Sequence, residues 1–273
     1  MCWSGEASIG LAAVGMAATS FAIYKKESPL LWSPLLYFSL MELLQGYTYS
    51  VIDQCGLPEN QIATFLGYLH ICFQPFFGLL IALYFIPETV RRAVLPYGLV
   101  LCSVSAIVML IQVFPFEWAG ACMPGSILCG PQMCSVTGSW HIAWHVPIND
   151  IGDGILALTG GPELFGGLLR IDFPTYPLAM FLFPLLFGSW RFVLYHVMLG
   201  PFLARMTTSD LNEMPAVWCL LSIGFLLLVV KTPLRQVLHV RYWPLWALIP
   251  GLDSRGQRTV GSDKMPDAEA TSK

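Results

Sequence analysis

Four histidines, a glutamate and an arginine fall inside runs of sequence that are otherwise apolar. His70 lies in GYLHICFQPFF, His141 and His145 in WHIAWH, and Arg191 and His196 in SWRFVLYH. The i, i+4 spacing of His141 and His145 predicts two imidazoles on one face of a helix. Two rings so placed bind one metal ion, and a third from His70 or His196 completes a zinc site with an open position. Such a zinc brings the pKa of a bound water to about 7 and polarises a carbonyl or phosphoryl oxygen. Glu42, in YFSLMELLQGYTY, and Asp150 are the candidate general bases, with Asp153 and Glu6 as further acids. Two other chemistries use the same residues. Histidines on facing helices could ligate haem b, and histidines bonded to carbonyls or tyrosines could relay protons or only pack.

Glu42 also opens a polar stripe. Gln45, Tyr49 and Asp53 follow it at spacings of three or four, so one helix face carries polar groups towards one end of the helix. Helix–helix hydrogen bonding is the plainer use of such a stripe. Arg191 is the candidate ion-pair partner of Glu42. At the start of the chain, Cys2 could bind metal if Met1 were removed, while Ser4 as a helix cap is the plainer account.

The elements that hold these residues are read from composition. Of 273 residues, 56% are hydrophobic and only 11% charged, with a mean hydropathy of +0.65. A soluble domain carries about 25% charge to cover its surface, so the chain is expected to bury its surface in lipid. The net charge of −3 and the lack of any basic run interleaved with aromatics argue against nucleic acid. The first apolar run has Glu6 before it and Lys25 and Lys26 after it, the reverse of a cleavable signal.

Six apolar runs are clear, at about 8–24, 30–52, 61–86, 94–114, 175–199 and 215–231; a seventh, 139–160, carries two His and two Asp. Counting it as a span puts twelve of the fourteen Lys and Arg on the inside, with Arg205 outside and Arg191 within a span. Six spans would leave the basic residues divided, against the positive-inside rule. The expectation is an all-α, polytopic transmembrane helical bundle over 1–250, seven spans with six as the alternative. Its N-terminus lies outside and its C-terminus inside the cell (inner) membrane. In that topology His70, His141, His145 and His196 share one outer layer. A Cys-rich exoplasmic loop is expected at about 115–138 and a disordered cytosolic tail at 251–273. The outside cysteines Cys55, Cys122, Cys129 and Cys134 favour at least one disulfide, and three pairings are open.

Taken together, MCWSGEAS, FSLMELLQ, NQIATFLGYLHICFQPFF, WHIAWHVPIND, LYHVMLGP and NEMPAVWC resemble a family of polytopic membrane proteins, found largely in bacteria, that begin Met-Cys-Trp-Ser. The resemblance covers about residues 1–245 and implies a membrane location without an assigned activity. A looser resemblance is to the alkaline ceramidase and adiponectin-receptor superfamily of seven-span hydrolases. Those bind zinc through intramembrane histidines that include an HxxxH pair. That pair lies near their last span, whereas His141 and His145 precede the sixth here, and their Ser and Asp motifs have no clear match. The leading expectation is a metal-dependent hydrolase of a lipid or amphipathic substrate. The alternatives are a transporter or sensor that uses the same polar set for an ion, proton or small ligand, and a haem-bearing electron-transfer protein.

Overall fold

Proline and capping side chains mark where the helices begin. The computed structural model describes residues 3–151 and 175–249, and these are mostly helical. Ser4 accepts from the Ala7 N–H and starts α1 (Gly5–Tyr24). Ser28 accepts from the Leu30 N–H and, with Pro29 in the first turn, starts α2 (Pro29–Thr48). Pro58 opens α3 (Pro58–Tyr84), and Pro87 caps α4 (Glu88–Gln112). A proline costs nothing in the first turn, where its missing N–H has no intrahelical partner. α1, α3 and α4 are each long and apolar enough to cross a membrane. The four helices lie antiparallel, with tight turns between α1 and α2 and between α3 and α4 at one end of the bundle, here the far end.

α1 packs on α2 through small residues. Ser8, Ala12, Gly15, Thr19 and Ala22 are buried at spacings of three or four. A Cβ on Gly15 would stand 2.0 Å from Ser39 Oγ, so the two backbones approach closely only because Gly15 has none.

The opposite end is covered by an irregular cap. Residues 134–145, expected partly as loop and partly as the start of a helix, form an antiparallel hairpin of β1 (Cys134–Thr137) and β2 (Ile142–His145). Two disulfides tie it down, Cys55–Cys134 and Cys122–Cys129. The expected span over 139–160 is therefore corrected over its first half. Gly138 and Pro147 bound the hairpin strand, its alternating β-branched and aromatic residues suit a strand, and Cys134 fixes its partner. Residues 152–160 lie outside the described residues, as do Asp153, Arg170 and the tail from 250 onward.

The run 175–199 is corrected as well. It is not one helix but two that run in opposite directions. α5 (Thr175–Leu186) includes a π-helical turn at Leu178–Leu182 and descends towards the far end. There Met180 fills the space at Gly78, and Ser189 Oγ donates to the carbonyl of Ala82. Gly188, at φ +94°, reverses the chain, a conformation that glycine adopts without steric cost. α6 (190–207) then climbs back to the cap with a second π turn at Met198–Phe202. α7 (Met214–Lys231) descends beside it, and the short α8 (Leu234–Leu238) follows.

Bundle helices leave large apolar side chains outward, among them Ile9, Leu43, Phe65, Val104, Leu194 and Phe202. The cap itself is cross-linked. Closing a 79-residue loop is worth at most about 4.5 kcal/mol in chain entropy, and a 7-residue loop about 2.4 kcal/mol. Replacing Cys55 and Cys134 by Ser should lower the Tm in detergent more than replacing Cys122 and Cys129. Equal shifts would show that loop length does not set what each disulfide contributes.

Candidate functional site

The cap sits on the bundle through side chains from helix ends. Asn60, in the first turn of α3 and buried, donates to the carbonyls of Val51 and Ser135 and accepts the Ser135 N–H. Asp53 accepts from Thr137 N–H and Oγ–H. Glu213, fully buried just before α7, accepts from the backbone N–H groups of Trp140 and His141 and from the Thr208 hydroxyl. Asn149 donates back to the carbonyls of Ile111 and Phe114 at the end of α4. Irregular backbone needs such partners wherever it is buried.

His141 is the hinge between cap and bundle. Its Nδ1 accepts from the Ile142 N–H at 2.8 Å and lies 3.0 Å from the Tyr49 hydroxyl. Accepting at Nδ1 places the ring proton on Nε2, which is buried without a partner among the described residues. Burial pushes the imidazole down to about 3. Trp3 and Trp140 stack beside it, and the Trp3 N–H donates to the carbonyl of Trp140.

Below this layer lies Glu42. Its side chain is fully buried on α2, and neither carboxylate oxygen has a hydrogen-bond partner among the described residues. Ser8 of α1 stands close to it as a hydrogen-bond donor: its hydroxyl accepts the Trp3 indole N–H at 2.8 Å and keeps its own proton to give. Gln45, one turn on, is fully buried, and neither amide atom has a partner among the described residues. Tyr49 is within electrostatic reach of Glu42 and of Glu213. The polar stripe thus runs from Glu42 through Gln45 and Tyr49 to His141, while Asp53 ends it on the hairpin.

The other expected site residues lie elsewhere. Arg191 does not pair with Glu42. It stands at the far end, donating to the carbonyls of Val237 and His239. His70 is in the middle of α3, stacked on Tyr37 at 3.7 Å. His196 lies in the far half of α6, where its Nε2 accepts from the Trp218 indole at 3.3 Å and phenylalanines enclose the ring. His145 is half-buried on β2, opposite Cys134. Asp150 is half-buried at the end of the cap and engaged there.

The shared layer of four histidines is accordingly corrected. It assumed a continuous helix over 175–199, and the reversal at Gly188 moves His196 away from the cap. The HxxxH pair loses its premise too. Four residues of extended chain span about 13 Å, against about 6 Å on a helix. Among the described residues no three His, Cys, Asp or Glu side chains form a group that could hold a metal ion.

Glu213 and Asn60 escaped the sequence reading. Glu213 reads as one more acid in a polar loop beside Asp210, and nothing local announces a hairpin seventy residues earlier in the chain. The chain belongs to a family of unknown function, DUF5765, whose model matches residues 6–239. No curated protein and no solved structure matches it.

The low value at His141 has a sign. The folded cap holds the neutral ring, whereas a released ring takes a proton near the ordinary 6.5. The closed cap is therefore fully favoured above about pH 6.5 and loses favour as pH falls towards 3. Hydrogen exchange over residues 134–146, corrected for intrinsic rates, should quicken by up to about tenfold per pH unit below 6.5. His141→Asn, which keeps an acceptor near Nδ1, should remove that dependence. Exchange with the same pH response in the variant would exclude His141 as its source.

Proposed function

We propose that this chain is a multi-pass integral membrane protein of the transporter or sensor class, in which Glu42 and Gln45 bind a proton or a small cation reached from the cap side. Membership of a family without an assigned activity makes the site the only guide. The observation that carries the reading is Glu42 itself, buried with neither oxygen hydrogen-bonded among the described residues. An unpaired carboxylate in apolar surroundings costs several kcal/mol. The group therefore demands a proton, a cation or a donor ligand. Ionisable groups within spans mark ion and proton pathways for this reason.

The membrane part of the proposal has separate support. Large apolar side chains face outward around the bundle, and three helices have the length and composition to cross a bilayer. Lys25, Lys26, Arg91, Arg92, Arg191, Arg235 and Arg241 belong to the far end, which the positive-inside rule assigns to the cytoplasm. Disulfides in the cap fit an oxidising exterior. Six passes, α1 to α4, α6 and α7, join the two ends, and α5 descends as the seventh. The proposed topology is thus seven spans with the N-terminus outside.

A zinc hydrolase built on His70, His141, His145 and His196 has less behind it, since those rings occupy different levels and His196 Nε2 is taken by Trp218.

Dicyclohexylcarbodiimide, which modifies protonated carboxyls in apolar surroundings, tests the reading. Intact-mass analysis of the purified protein should show one adduct on Glu42, absent in Glu42→Gln. Labelling should slow as pH rises or as the bound cation is supplied. No adduct, or an adduct that persists in Glu42→Gln, would remove Glu42 from the site.

A further inference from the structure

At the far end a second site lies between three pieces of chain. The start of α6, the short α8 and the extended segment after it enclose a pocket of about 450 Å³. Trp190, Arg191, Gln236, His239, Arg241 and Tyr242 line it, and no acid among the described residues does. Arg191 is held in place. Its guanidinium lies 5.3 Å from the centre of the Trp190 ring, and Nη1 donates to the carbonyls of Val237 and His239. Those bonds leave Nη2 and Nε without a hydrogen-bond partner among the described residues and fix the direction of the fork. Arg241 is exposed at the rim.

The neighbouring charge differs in kind. Arg235 is bound at both nitrogens to Glu27, at 2.9 Å each, and Arg92 pairs with Glu88. Arg191 and Arg241 have no such acid among the described residues. α6 begins here without a side-chain cap, so its positive end adds to the field. His239 is held down to about 4, first by burial and then by Arg235 and Arg241, so near neutral pH it offers a neutral ring. Trp190 and Tyr242 are both exposed, as aromatics are at a membrane–water boundary.

We propose that this pocket binds a phosphate ester of net negative charge, gripped by Arg191 and Arg241 and bordered by Trp190 and Tyr242. Planar guanidinium forks suit phosphate oxygens. Basic pockets on the cytoplasmic side of membrane helices take anionic headgroups. The pocket's place at the rim of the bundle makes an anionic phospholipid the natural source, and free phosphate shares the chemistry. The lipid source rests on the membrane placement proposed above but not on Glu42, so the two readings fail separately.

The test uses the full chain in detergent and native mass spectrometry. Phosphatidic acid and phosphatidylcholine are offered at equal concentration, with and without millimolar inorganic phosphate. Preferential retention of phosphatidic acid is expected, about fivefold weaker in Arg241→Gln. Arg241 is exposed, so this variant should leave the fold intact. Arg191→Gln should abolish the preference, and Arg191→Lys, which keeps the charge but loses the fork, should restore only part of it. Displacement of the lipid by phosphate would assign the site to a soluble phosphate compound, still within the proposal. Equal retention of the two lipids together with no effect of phosphate would overturn it. A preference for phosphatidic acid that Arg241→Gln leaves unchanged would overturn it too.

Discussion

A buried, irregular stretch of chain must find hydrogen-bond partners, and at the cap end helix side chains provide them. Glu213 takes two backbone N–H groups of the hairpin and a threonine hydroxyl. Asn60 holds Ser135 from both sides, and Asn149 reaches the end of α4. The hairpin stays over the helices because these groups meet it, and His141 stays against Tyr49 because the hairpin stays. Everything assigned to the interior depends on that cover. With the cap displaced, water would reach Gln45 and Glu42, and the unpartnered carboxyl would no longer be unusual.

Burial in the interior is uneven in its demands. Some polar groups are satisfied and read as structure, such as His196 on Trp218 and Tyr68 on the carbonyl of Met109. Others keep buried atoms without partners among the described residues, as Glu42, Gln45 and Gln74 do. Most buried polar atoms in proteins are hydrogen-bonded, so exceptions call for a reason. Their gathering along the inner faces of α2 and α3 separates a polar interior from the packed apolar clusters around it.

Much of this fold was legible in the sequence, and the misses have physical causes. The first four apolar runs and the last match α1 to α4 and α7 within a few residues, because twenty apolar residues between prolines leave little choice. WHIAWH misled because i, i+4 spacing repeats on a helix and alternation also puts both residues on one side of a strand. Only the covalent tie at Cys134, and Gly138 before it, decide between them. Charge bookkeeping asks for a crossing beyond the six apolar runs and puts it at 139–160, whose described first half is hairpin; the run 175–199 reads as one helix, yet folds back at Gly188, a single residue in largely apolar sequence. Glu42 was found because a carboxylate inside an apolar helix stands out, whereas Glu213 looks ordinary until the hairpin is in place.

The reversal at Gly188 leaves helix-end carbonyls at Leu186 and Phe187 that α5 itself cannot satisfy. Two indoles from beyond α8 do so, Trp243 on Leu186 and Trp246 on Phe187, and Trp246 is buried in the process. The family match ends at residue 239, before both tryptophans. A protein trimmed to that homology boundary would leave two carbonyls bare under the bend at Gly188. The stretch after the last long helix therefore works as a clasp, and a domain boundary drawn from sequence similarity alone would cut through it.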